Sequence, residues 1–457
     1  MERENLKSRL GFILISAGCA IGVGNVWKFP YMVGNLGGGA FVLIYIAFLI
    51  VLGLPILTME FAMGRASQKS IACVYDELKP DKKVWGIHGY LGIIGNYVLM
   101  FFYTTVAGWM LNYFYKYLVG DMVGMTSSAD VFSGMLASPG QNVFWMAVIV
   151  VLGIAVCSLG LQNGVEKITK VMMMALLGLI VVLAVHSCTL EGASEGLKFY
   201  LVPNLDNMKA AGVGNVISGA MNQAFFTLSL GIGAMLIFGS YLKKEQALLG
   251  ESINVVILDT FVAVTSGLII FPACFSYNVQ PDAGPSLIFM TLPAIFAEMA
   301  GGRIWGSLFF LFMTFAALST VIAVFENIIC CCMDKFGWSR KKSAGINFVI
   351  ILLLSLPCAL GYNVLSFIEP LGAGTSILDF EDFIVSNLLL PIGSLVMALF
   401  CMNRYGWGFE NFMKEANEGK GIKMPRWIYG YAKYVLPVVV AVLIFQSVSP
   451  YVMKLFA

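Results

Sequence analysis

Two stretches decide how this chain reads: Gly18-Cys19-Ala20-Ile21-Gly22-Val23-Gly24-Asn25 and Phe226-Thr227-Leu228-Ser229-Leu230-Gly231-Ile232-Gly233. Each sets two glycines two residues apart in the middle of an apolar run. Glycine costs a helix interior about 1 kcal/mol relative to alanine, so such clusters favour local unwinding. Small residues also serve plain close helix packing, and either stretch alone fits that use equally well. The two occur at corresponding positions of the two halves of the chain, which is the pattern of a secondary transporter built from inverted repeats.

The composition around them agrees. Of 457 residues, 59% are hydrophobic and 12% are charged, against about 25% charged in a soluble domain. That excludes a disordered chain, a nucleic-acid binder and an ordinary cytosolic enzyme, and points to an all-α polytopic membrane protein. The net charge of +2 implies no polyanionic partner. The ten cysteines include the run Cys330-Cys331-Cys332 and have no Cys-x-x-Cys or Cys/His metal spacing. They read as small apolar helix residues. The first apolar run starts near Leu10, is too long for a signal peptide, and meets no Ala-x-Ala site.

Apolar runs of about 17–25 residues mark the spans. The expected spans are Leu10–Phe29, Gly39–Met63, His88–Leu118, Val143–Leu159, Ile168–His186, Val213–Leu242, Ser252–Phe275, Ile304–Met333, Ile346–Leu360, Phe383–Cys401 and Val435–Val452. A shorter stretch, Leu287–Met299, contains Pro293 and reads as a re-entrant or interfacial hairpin. The expected organisation is one transporter domain over residues 1–457. Residues 10–186 and 213–401 are its two five-span repeats, and residues 435–452 add an eleventh span. With the N-terminus inside, every Lys and Arg falls on the cytoplasmic side except Lys28, Lys116, Lys198, Lys209, Arg303 and Lys454. The positive-inside rule then places the N-terminus in the cytoplasm and, with an odd number of spans, the C-terminus outside.

A broken helix frees carbonyls and amides at membrane depth, where ions, substrate or water must satisfy them. A half-helix N-terminus suits a carboxylate, and freed carbonyls with Asn25, Thr227, Ser319 and Thr320 suit Na⁺. For each hydroxyl the alternative is a bond back to its own helix. Few charges lie inside spans: Glu60, Asp259 and Glu326. Asp259 interrupts a continuous apolar run and reads as functional. Glu60 and Glu326 read equally as caps of freed backbone or as structural pairs, and His88 and His186 as structural residues at span edges.

These residues resemble a known family. Arg9-Leu10-Gly11 leading into Gly18–Pro30, Gly37-Gly38-Gly39-Ala40-Phe41, Met59-Glu60-Phe61-Ala62-Met63-Gly64-Arg65 and Asn222–Gly231 are similar to the neurotransmitter:sodium symporters, whose type structure is the bacterial transporter LeuT. The likeness covers essentially the whole chain and is strongest to bacterial members with eleven spans that carry tyrosine or hydrophobic amino acids. It implies the LeuT fold, an inverted 5+5 helix repeat with spans one and six broken. It also implies a chain that is not an enzyme, a bacterial inner-membrane location, two Na⁺ ions, an amino-acid substrate and contact with membrane lipid. No nucleic-acid partner is expected, and the oligomeric state is left open.

The same resemblance implies the site. The first Na⁺ would be held by the Ala20 carbonyl, Asn25, Thr227, Asp259 and the substrate carboxylate. The second would be held by the carbonyls of Gly18, Ile21 and Ala316 with the hydroxyls of Ser319 and Thr320. The substrate carboxylate would meet the amides of Val23 and Gly24 and the hydroxyl of Tyr103. Its ammonium would meet the carbonyls of Ala20, Phe226 and Thr227, and Ser229. The side chain would lie among Cys19, Leu99, Tyr103, Phe226, Ile232, Thr320 and Val324, with Tyr103 and Phe226 as lid. Monoamine members carry an Asp where this chain has Gly22, so the substrate must bring its own carboxylate. Chloride-dependent members bind the anion at positions that here read Tyr45, Gln223, Thr227, Asp259 and Ala263; a fixed carboxylate at Asp259 implies chloride independence. Lys28 replaces the usual gate arginine, with a partner among Asp379, Glu381 and Asp382, of which Asp382 is favoured. Arg3 and Asp334, with Tyr241 beside them, match the cytoplasmic gate.

Three rivals stand against the symporter. A channel would need a continuous pore, which the aromatic lid and paired gates oppose. An intramembrane enzyme would need a Ser/His, Cys/His or paired-carboxylate arrangement at depth, and the sequence offers none. A sensor would bind without transport. Na⁺-coupled carriage of another small amino acid or solute is the remaining alternative.

Overall fold

The computed structural model describes residues 4–279 and 287–456. Among them, nine helices are long and apolar enough to cross a bilayer: Gly39–Ser67, Lys83–Val119, Pro139–Ser158, Leu161–Cys188, Leu248–Ser276, Gly302–Phe336, Arg340–Leu360, Ile377–Met402 and Ile428–Gln446. A further crossing is the pair Arg9–Ala20 and Gly24–Asn35, bent by 55°. Val213–Thr227 and Ala234–Gly239 stand where the sequence places the sixth span, and residues 228–233 between them are not helical. At 1.5 Å per residue neither half-helix reaches across about 30 Å of hydrocarbon. As labels, these nine helices and the two interrupted pairs are called spans one to eleven in chain order.

Several helices outrun their apolar stretches. Span three starts at Lys83 and span eight ends at Phe336, beyond the expected His88 and Met333. Hydropathy marks only the residues that need hydrocarbon, whereas the backbone hydrogen-bond ladder continues into the interface. The segment Leu287–Glu298 is buried: Phe289 packs against Trp109, Tyr113, Phe132 and Phe310. Two short helices between spans five and six, Ala193–Leu201 and Leu205–Ala211, were not expected.

Burial separates a core from a rim. In the apolar windows of spans three, seven and eight, 67%, 67% and 78% of residues are buried, against 39% in spans four, five and nine and 28% in the last span. Spans seven and eight pack on the broken span one, and span three packs on span eight; the less buried spans present more of their surface to lipid. All ten cysteines are free thiols. Among the described residues no His/Cys/Asp/Glu cluster could hold a metal ion.

Candidate functional site

Span one breaks at Ile21. The Ile21 amide still donates to the Ala17 carbonyl (2.6 Å), but ψ of 103° turns the chain out of the helix, and a new helical segment starts at Gly24. Span six ends at Thr227 and passes through Ser229 (φ 49°), Gly231 (φ 96°) and Gly233 (φ 75°). At Gly231 only glycine fits: a Cβ would stand 2.2 Å from the Leu390 carbonyl oxygen and 2.7 Å from the Ser394 amide nitrogen. Ser229 holds the left-handed conformation without that freedom, which costs an L-residue about 1–2 kcal/mol. Glu60 of span two accepts the Gly231 amide at 2.6 Å and is fully buried, so it replaces a helical partner that the break removes.

Two clusters of oxygens meet these breaks. In the first, Asn25 Nδ2 donates to Asp259 Oδ1 (2.8 Å) and to the Asp259 carbonyl (3.2 Å), and Thr227 Oγ1 donates to Asp259 Oδ2 (3.0 Å). Asn25 Oδ1 accepts the Gly22 amide at 3.1 Å. All three side chains are almost fully buried. In the second, Ser319 Oγ lies 2.9 Å from both the Gly18 and the Ala316 carbonyl oxygens, between which its one proton is shared. Thr320 Oγ1 lies 3.3 Å from the carbonyls of Gly18 and Ile21. Oxygen is the only donor atom in this second set, which is the chemistry of a hard monovalent cation.

Between the clusters lies a small cavity. Its walls are Cys19, Ala20, Gly22 and Gly24 of span one, Leu99 and Tyr103 of span three, Phe226, Thr227 and Ser229 at the span-six break, and Thr320 of span eight. The Val23 amide donates to Tyr103 Oη at 2.9 Å. Gly22 has no room for a side chain, because a Cβ would stand 2.3 Å from Tyr103 Oη and 2.7 Å from Thr320 Oγ1. Two expected wall residues fall outside the cavity. Ile232 is turned against Gly95 of span three, and Val324 is buried elsewhere in span eight. Val23 faces the outer vestibule instead. Val385 and Leu390 of span ten line the cavity unannounced. They are apolar residues in an apolar span, and the π-helical turn Ile384–Leu389 beside them has no sequence signature.

Phe226 and Tyr103 line both this cavity and an outer vestibule of about 260 Å³. Lys28 spans that boundary: its Nζ is 3.5 Å from Asp382 Oδ2, 3.4 Å from Ser386 Oγ and 4.0 Å from the Phe226 ring centroid. Ser386 donates to Asp382 Oδ1 at 2.6 Å. Of the other two candidate gate carboxylates, Asp379 closes a capping box with Ser376, and Glu381 is buried against Cys358. At the opposite mouth Arg3 lies outside the described residues, and Asp334 Oδ2 accepts the Ser70 amide at 2.7 Å. Tyr241 donates to Glu326 Oε1 (2.7 Å), and Arg340 makes a two-pronged pair with the same carboxylate (2.6 and 3.0 Å). Tyr241 therefore belongs to an ionic cluster with Glu326 and Arg340.

Broken helices around oxygen clusters, in a chain that crosses a membrane many times, define a secondary transporter. The comparisons with known proteins agree. The model of the sodium:neurotransmitter symporter family matches residues 3–130 and 126–456. The sodium-dependent transporter YhdH of Bacillus subtilis is 36% identical over 86% of both chains. A sodium-dependent transporter of Haemophilus influenzae is 30% identical over 98% of both. The crystal structure of MhsT in complex with L-phenylalanine superposes with a TM-score of 0.87 at 36% identity, covering 98% of this chain and 100% of that one. The chain belongs to the sodium:neurotransmitter symporter family. It has the LeuT fold, depends on Na⁺, carries a small-molecule substrate across the membrane and is not an enzyme.

Proposed function

We propose that this chain carries hydrophobic L-amino acids, aromatic ones among them, into the cell together with two Na⁺ ions and without chloride. The observation that carries this reading is the cavity itself. It puts a backbone amide and the Tyr103 hydroxyl at one end, the carbonyl-rich span-six break at another, and an apolar wall of Leu99, Phe226, Val385 and Leu390 between them. A zwitterion with an apolar side chain satisfies all three. An amine without a carboxylate would bring its positive charge with no counter-charge of its own, and Gly22 has no space for a compensating acid. The L-phenylalanine in the structure of MhsT, a relative alike over nearly its whole length, supports the same substrate class.

The two oxygen clusters are the proposed Na⁺ sites, with Ala20, Asn25, Thr227 and Asp259 in one and Gly18, Ile21, Ala316, Ser319 and Thr320 in the other. Lys28 with Asp382, and Arg3 with Asp334 and Tyr241, are the proposed outer and inner gates. The proposed frame is two repeats over residues 10–186 and 213–401, eleven spans, the N-terminus in the cytoplasm of a bacterial inner membrane and the C-terminus outside. Uptake of a labelled amino-acid panel into proteoliposomes tests this. Saturable uptake of phenylalanine, tyrosine, tryptophan or leucine in a Na⁺ gradient supports it. Equal uptake in K⁺, or binding with no counterflow, refutes it.

A further inference from the structure

The break in span six leaves backbone groups that no helix satisfies, and in an interior without water each must find another partner. Within residues 228–233 the Ser229 amide turns back to the Phe226 carbonyl at 3.0 Å. The Gly231 amide goes to Glu60. Span three takes one further group of the break through Asn96 and sets His88 beside another, and neither residue was expected to act.

Asn96 is 1% exposed in the middle of an apolar helix. Its Nδ2 donates to the Ile232 carbonyl at 2.8 Å and to its own helix at Gly92 at 2.7 Å. Its Oδ1 accepts Nδ2 of Asn327, a buried residue of span eight, at 3.0 Å. An asparagine used only to bond back to its own helix would need neither outside partner. Two turns earlier on span three, buried His88 holds its Nδ1 2.6 Å from Tyr75 Oη. With Tyr75 donating there, the ring carries its proton on Nε2. That nitrogen lies beside Gly393 of span ten, next to the span-six break. It and the Gly231 carbonyl oxygen stand 2.7 and 2.0 Å from the point where a Cβ on Gly393 would lie.

We propose that Asn96 and His88 are positioning residues of the substrate site, which pin the span-six break to span three through the relays Asn327–Asn96–Ile232 and Tyr75–His88–Gly231. The pin holds Ile232 against Gly95 and out of the cavity, and it fixes the strained turn at Ser229 from below. Tyr75 lies in the short helix Val74–Leu78 between spans two and three, so the second relay ties that connecting segment to the site. The inference rests on the transport reading above, and its test keeps the two apart.

Hydrogen exchange at residues 228–236, measured on the full chain in nanodiscs with Na⁺, reads the pin without any substrate. Asn96→Leu and His88→Leu are expected to speed exchange there about three- to tenfold, the worth of one net hydrogen bond, with the other spans unchanged. The affinity for a labelled aromatic amino acid should fall by about the same factor. His88→Gln, which keeps a donor near the Nε2 position, should stay within about twofold of the native protein. Asn327→Leu acts only through Asn96, so adding it to Asn96→Leu should change little further. Unchanged exchange at 228–236 overturns the proposal. So does faster exchange spread evenly over all spans with a lowered melting temperature, since the residues would then support the fold and nothing more. Local exchange changes in a protein that takes up no amino acid would sink the transport reading and leave the pin standing.

Discussion

Asp259 is the carboxylate that the Asn25 amide and the Thr227 hydroxyl both approach. A substrate ammonium and two Na⁺ would bring three positive charges to a low-dielectric cavity, and the substrate carboxylate would cancel only one. An uncompensated buried charge is costly, so on the proposed reading a fixed anion at this position would stand in for chloride. Asp259→Asn keeps the shape and removes the charge. Losing a charged hydrogen-bond partner of about 1.5–3 kcal/mol should raise the Na⁺ concentration for half-maximal uptake about 10- to 100-fold. Replacing chloride by gluconate should leave the native rate unchanged, and a large loss would refute the charge-surrogate role. Gly22 gives a second test at this scale. Gly22→Asp would drive a side chain into Tyr103 Oη and Thr320 Oγ1. Overpacking of about 1–3 kcal/mol predicts about 10- to 100-fold weaker amino-acid binding, read by equilibrium binding. Improved affinity for a decarboxylated amine would contradict the steric account.

Among the elements, the half-helix Ala234–Gly239 and the connection behind it are held by side chains from elsewhere. Arg65, fully buried at the end of span two, pairs with Glu415 Oε1 at 2.5 Å and donates to the Gln246 carbonyl at 2.7 Å. Glu415 belongs to the helix Phe409–Ala416 between spans ten and eleven, so one guanidinium ties three segments together. Glu415→Leu strands a buried cation and should cost about 3–5 kcal/mol, seen as a lowered melting temperature in detergent. The double change Arg65→Met with Glu415→Leu should recover most of that loss; if it does not, the pair adds more than its own neutralisation. Gly231→Ala tests the break itself. The left-handed conformation alone costs about 1–2 kcal/mol, and the collision with span ten adds to it, so transport should fall together with stability.

For the whole molecule the question is the driving force. A zwitterion carries no net charge, so the membrane potential acts only through the ions. Each Na⁺ moving inward gains about 2.3 kcal/mol per 100 mV, and two gain about 4.6 kcal/mol. At about 1.4 kcal/mol per decade, that sustains an accumulation of roughly a thousandfold before any ion gradient is counted. An imposed potential on proteoliposomes should therefore change steady-state accumulation with the steepness of two charges per substrate. The steepness of one charge would remove one of the two proposed ion sites from the coupling.

The sequence by itself determined the class of fold. The charge deficit and the long apolar runs require a helical membrane protein, because a run of about 20 continuous apolar residues meets hydrocarbon with its backbone satisfied only as a helix, whereas barrel strands alternate. Gly18–Gly24 and Phe226–Gly233 mark the broken spans, because glycine removes both helix propensity and the barrier to φ > 0. Asn25, Thr227, Asp259, Ser319 and Thr320 were legible as polar residues where polarity is expensive. Tertiary structure decided what depends on neighbours distant in sequence. Asp382 pairs with Lys28 while Asp379 caps a helix, a choice made by rotation about span ten that three acidic residues within four positions cannot specify. Val385 and Leu390 reach the cavity because of a local π-helical turn. Ile232 leaves it because its carbonyl is held by Asn96. His88, which reads alone as a residue at a span edge, meets Tyr75 and comes beside the span-six break only after the chain folds, because a contact is fixed by distance in space and leaves no periodic trace in the residues between its partners.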